Sequence, residues 1–131
     1  MMLCVVLPVS VYAAPEQPST AHPLIGIWSW ITSAQGCTEM YNFKANGNVS
    51  YASGEEVGDG SYQVDAAPNP EGLYQFVSVV AHDNGKKDCR GVVSKAGDHM
   101  ALYVRFAPDH KSMKMCTSVE PSSCFGPLTK E

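Results

Sequence analysis

With 131 residues, the chain is long enough for one domain and too short for two. Its net charge of −4 comes without any Lys/Arg cluster beyond the pair Lys86-Lys87, so nucleic-acid binding, which needs a basic stripe to meet phosphates, is excluded. Past the N-terminal apolar run, no stretch approaches the roughly twenty apolar residues of a membrane helix, so stable membrane insertion of the mature chain is not expected.

The N-terminal run, Leu3, Cys4, Val5, Val6, Leu7, Val9 and Val11, is too short to span a bilayer but suits the apolar centre of a secretory signal. Residues 1–13 are read as that signal, with cleavage after Ala13. Residues 14–23, rich in Pro, Ser and Gln, are read as a flexible leader, and residues 24–131 as the folded domain.

Cysteine usage points the same way. Cys4 would leave with the signal, and Cys37, Cys89, Cys116 and Cys124 remain, an even number with no C-x-x-C spacing. Disulfides account for that pattern better than zinc or a redox motif, and they imply a periplasmic or secreted protein. Of the three possible connectivities, a local clamp Cys116–Cys124 and a long tie Cys37–Cys89 are expected. In the chain-entropy picture the long tie is worth about 4 kcal/mol.

From Leu24 the chain keeps a two-residue beat interrupted by turn residues. Residues 24–33 form the first predicted strand. Residues 37–45 follow, with Tyr41 and Phe43 on one face and Thr38, Asn42 and Lys44 on the other. Asn46-Gly47 supplies the positive φ of a tight hairpin, and 48–53 returns with Val49 and Tyr51 facing inward. A turn at 54–58 leads to a strand at 59–65 carrying Tyr62 and Val64. Residues 66–72, with Pro68 and Pro70, are a loop. Strands are then predicted at 73–81, 87–94, 99–106 and 111–118, separated by turns at 83–85, 96–98 and 108–109. Met100, Leu102, Val104 and Phe106 share a face, and Cys124-Phe125-Gly126-Pro127 reads as a tail.

Eight sequential strands with short turns predict an all-β, antiparallel, up-and-down barrel, because closing the meander removes its exposed edges. A two-sheet sandwich has the same local pattern and stays as the alternative.

Gly26-Ile27-Trp28 at the head of the first strand resembles the G-x-W signature of the lipocalin and calycin group. The resemblance implies an eight-stranded barrel whose closed end is plugged by Trp28, following Gly26, with an Arg from a late strand packed over the indole; Arg105 is the candidate. Together with Tyr41-x-Phe43-x-x-Asn46-Gly47, the pattern is similar to small lipocalin-like proteins exported by bacteria.

Chemistry-bearing constellations are sparse. There is no G-x-S-x-G elbow, and His22, His82, His99 and His110 are dispersed. Glu55-Glu56 near Asp59 reads as a solvated turn rather than a glycosidase pair. Asp83-Asn84-Gly85 with Asp88 lacks the ligand alternation of an EF-hand, and Met113 and Met115 near His110 read as core rather than as copper ligands. No catalytic residue, cofactor or metal is expected. Tyr41, Phe43, Tyr51 and Tyr62 share the inward register and are the candidate ligand wall, or else a packed core. The expected function is a non-catalytic binding module for a small apolar ligand. The alternative is a periplasmic inhibitor or immunity protein that engages an envelope hydrolase through the acidic turn 54–60 and the Pro loop 66–72.

Overall fold

The computed structural model describes residues 22–32 and 36–131; the signal expected at 1–13 and residues 14–21 of the leader expected at 14–23 lie outside them. Among the described residues there are eight strands: β1 (Gly26–Thr32), β2 (Cys37–Phe43), β3 (Asn48–Ser53), β4 (Glu56–Val64), β5 (Tyr74–Asp83), β6 (His99–Phe106), β7 (Ser112–Cys116) and β8 (Cys124–Lys130). Each pairs antiparallel with its neighbours in sequence, and β8 returns to β1, so the sheet closes into an up-and-down barrel. The closure rules out the sandwich, because it leaves no second sheet to stack on the first.

Local chemistry makes the early meander regular. Between β2 and β3, Gly47 takes φ 85, Lys44 N–H bonds to Asn48 O at 2.9 Å, and the Asn46 side chain accepts from Asn48 N–H. Gly54-Glu55 alone forms the next turn, so β4 starts at Glu56, earlier than the predicted 59.

The predicted and observed strand counts agree, but two memberships differ. Residues 87–94 form no strand. The Asp88 carboxylate accepts from the N–H groups of Arg90 and Val92, both at 2.8 Å, and Asp88 N–H bonds to Val92 O at 2.9 Å. A side chain that captures its own neighbouring amides competes with a sheet ladder, and here it wins. Residues 124–130, read as a tail, are instead the closing strand. Trp28 pairs with Lys130 on one side and Cys116 with Cys124 on the other. The register of β7 against β8 shifts between Met113 and Met115, opposite Gly126-Pro127, so the proline lies where the ladder is already irregular.

One end of the barrel is closed. Trp28 is fully buried there, and its Nε1–H donates to Leu24 O at 2.9 Å. His22, assigned to the leader from sequence, is 7% exposed. It accepts Leu24 N–H at Nδ1 and donates from Nε2 to Asp65 O, while its ring edges onto Tyr74 and Phe106. Phe43, Tyr62 and Phe76 pack mutually around Leu24, Trp28 and Leu128 to complete the floor.

Arg105 does not cover Trp28. Leu102 and Val104 face the interior of β6, so alternation turns Arg105 to solvent, where it is exposed. The cation over the indole is Lys130, whose Nζ lies 5.5 Å from the ring centroid and donates to Pro23 O. Gly26 makes room for it: its φ is 136, and a Cβ there would fall 2.8 Å from Lys130 Cε.

Both expected disulfides are formed, Cys37–Cys89 and Cys116–Cys124. Two such bonds fit an oxidising compartment outside the cytoplasm. Among the described residues, no helix is long and apolar enough to cross a membrane.

Candidate functional site

Above the packed floor the barrel is hollow, with a cavity of about 680 Å³ opening toward the Cys37 and Ser53 ends of β2 and β3. Its depth is apolar. Phe43, Val49, Phe76, Leu102, Met115 and Phe125 supply the wall, and Trp30 stands beside Phe125 with ring centroids 5.3 Å apart. Gly60 on β4 contributes only backbone to the lining; it sits at the bulge between Asp59 and Gly60, where a Cβ would collide with the Val79 carbonyl of β5.

Three of the four aromatic residues picked out by register line this cavity: Tyr41, Phe43 and Tyr51. Tyr62 does not. It lies in the floor, where its hydroxyl donates to Lys44 O at 2.7 Å and burial raises its pKa to about 12. Phe43 serves both layers, stacked near-parallel on Tyr41 and edge-on to Tyr62.

The mouth is polar. Cross-strand register places Trp30, Glu39, Ser53 and Glu56 in one row over β1 to β4, and directly opposed residues point to the same side of a sheet. The Glu39 carboxylate is fully engaged, accepting from the Tyr41 hydroxyl at one oxygen and from Ser53 Oγ at the other, both at 3.0 Å. Ser53 Oγ in turn accepts Cys89 N–H, which ties this network to the loop over the mouth. Burial, then the charge and hydrogen bond of Glu39, drive the Tyr41 hydroxyl pKa far upward.

Glu56 differs. It is 5% exposed, and its Oε2 has no hydrogen-bond donor among the described residues. Burial is the main cause that lifts its pKa from 4.5 to about 7; the neighbouring Asp83 adds to the rise, and the Ser94 hydroxyl opposes it. Asp83 itself is held below its usual value. Its own burial pulls upward, but the Gly85 amide, the Tyr51 hydroxyl and Glu56 outweigh that pull. Tyr51 donates to Asp83 Oδ2 at 2.8 Å, and burial followed by this bond raises the Tyr51 hydroxyl pKa.

The segment between β5 and β6, residues 84–98, folds over this rim and adds Asp88, Arg90, Val92, Ser94 and Asp98 to the lining. It is pinned by the Cys37–Cys89 bond and by the contact of Glu55 N–H with Lys87 O. The other sequence candidates have structural places. Met113 and Met115 are buried, the first in the core and the second between core and cavity. His110 is exposed at a turn, and the Asp83 and Asp88 oxygens accept amides of their own turns.

Sequence reading missed Glu39 and Glu56 as interior residues. The signal for Glu39 was present, since it lies two residues before Tyr41 on the same face. For Glu56 the same beat runs back from Tyr62 through Gly60 and Gly58, two positions with no side chain to mark it. No known protein family, curated protein or solved structure matches the chain.

Proposed function

We propose that this chain is a non-catalytic binding module of the periplasm or the cell exterior that holds a small apolar or amphipathic ligand inside its barrel. The observation that carries this reading is the cavity of about 680 Å³, walled by Tyr41, Phe43, Tyr51 and further apolar side chains above a tightly packed floor. Ligand sites are commonly concave, apolar cavities of about 300–1,000 Å³ with a few placed polar groups. The closed eight-stranded barrel with Trp28 in its floor is compatible with a lipocalin-like protein, and the disulfides together with the signal read at 1–13 support an exported one.

The alternative of an inhibitor acting through its loops predicts a filled barrel and an outward acidic turn at 54–60. The hollow interior and the inward-facing Glu56 favour the ligand-binding reading.

Titration with an environment-sensitive naphthalene dye tests it. The wild-type protein is expected to take up one dye molecule with enhanced emission, and Leu102→Trp, which fills the cavity, is expected to abolish the uptake while the protein remains folded. Equal dye binding by both proteins, or none by the wild type, would refute the reading.

A further inference from the structure

Resting on the cavity-binding reading, we propose that the ligand is an amphipathic cation, an organic amine whose ammonium group docks on Glu56 at the mouth while its apolar tail descends between Phe43, Phe76 and Leu102. Three observations converge on this class. The first is Glu56, a buried side chain of the cavity lining whose Oε2 meets no donor among the described residues and whose carboxyl lies against that of Asp83. A buried carboxylate oxygen without a donor is costly, and a ligand N–H group is the complement that removes the cost.

The second is the charge of the lining. Four carboxylates, Glu39, Glu56, Asp88 and Asp98, face one guanidinium, Arg90, with His99 the remaining titratable base. Arg90 is exposed on the loop and, among the described residues, makes no ion pair with Glu56; its charge is felt instead at Tyr41. Asp83, in contact with Glu56, adds a further negative charge. The third is the surroundings. The charge of Glu56 acts on the phenols of both Tyr51 and Tyr41, which line the same cavity, and aromatic rings attract cations as well as apolar tails.

A bare metal ion fits less well. Among the described residues no three His, Cys, Asp or Glu side chains are gathered to hold one. The apolar depth below the acids also calls for a ligand with a tail.

The discriminating experiment uses three probes with one tail: 4-phenylbutylamine, 4-phenylbutanol and 4-phenylbutyrate. Each is titrated into the intact, oxidised protein by calorimetry at about pH 8, above the Glu56 pKa of about 7. The amine is expected to bind at least about tenfold tighter than the alcohol, since a hydrogen bond to a charged group is worth about one such factor or more. Glu56→Gln should erase most of that ratio and leave the alcohol's affinity unchanged. The wild-type amine-to-alcohol ratio stands as a test even if the variant fails to fold. Equal binding of amine and alcohol, or tighter binding of the carboxylate through Arg90, overturns the cation proposal and leaves cavity binding intact. Failure of all three probes to bind removes both.

Discussion

At the scale of single residues, Glu56 is the most informative position. Its folded-state pKa of about 7 lies above its ordinary 4.5, so the folded protein retains a proton that the unfolded chain has released between those values. The corresponding stabilisation is complete below about pH 4.5 and is lost as pH rises through about 7. Asp83 works in the opposite sense: its depressed pKa favours the fold above 3.8, and that contribution disappears only in stronger acid. Between pH 5 and 8 the urea midpoint of the wild type is therefore expected to fall, and Glu56→Gln should flatten that fall and be the more stable protein at the alkaline end. Parallel profiles for the two proteins would contradict the assignment. Residues also show how far local reading reaches. Trp28 is fully buried in the floor. The cation over its indole is Lys130 and not the expected Arg105, which the alternation of Leu102 and Val104 turns outward.

At the scale of elements, the segment 84–98 and β8 exchange the roles expected of them. A run with Val92 and Val93 has the composition of a strand, yet Asp88 folds it into a loop by holding the Arg90 and Val92 amides. A run with Gly126 and Pro127 has the composition of a tail, yet the open edges of β1 and β7 recruit it. The loop is secured mainly by the Cys37–Cys89 bond, which spans 52 residues of sequence. Closing a loop of that size restricts the unfolded chain by an amount worth about 4 kcal/mol. Replacing both cysteines by Ala is expected to lower the unfolding free energy by up to that amount in urea. It should also make the Lys86, Lys87 and Arg90 sites more susceptible to limited trypsin digestion. A variant as stable and as resistant as the wild type would show that the loop is held by its hydrogen bonds alone.

At the scale of the molecule, the barrel divides into a solid half and a hollow half. The floor gathers Leu24, Trp28, Phe43, Tyr62, Phe76 and Leu128, all nearly inaccessible, and supplies the buried apolar surface that drives folding. The upper half gives up packing to enclose its cavity, and the disulfide-pinned loop and the Glu39 network hold the rim in place of a core. Closure by β8 couples the halves, since without it β1 and β7 become free edges. A chain ending at Ser123, with Cys116→Ala to avoid a free thiol, is expected to lose its cooperative thermal transition. A sharp calorimetric peak in that variant would show that seven strands suffice.

Alternation, turn chemistry and cysteine parity are properties of neighbouring residues, and they were enough to establish an all-β meander, the Asn46-Gly47 hairpin, the inward register of Tyr41, Phe43 and Tyr51, and an oxidised protein. Which segment closes the barrel, whether its interior is empty, and which acids face inward depended on contacts between residues far apart in the chain. Lys130 reaches Trp28, Ser53 meets Cys89, and Glu56 meets Asp83 only once the ring of strands is complete. Periodicity states which side of a strand a residue occupies. The space left between opposite walls is set by the circumference and stagger of the closed sheet, to which every strand contributes.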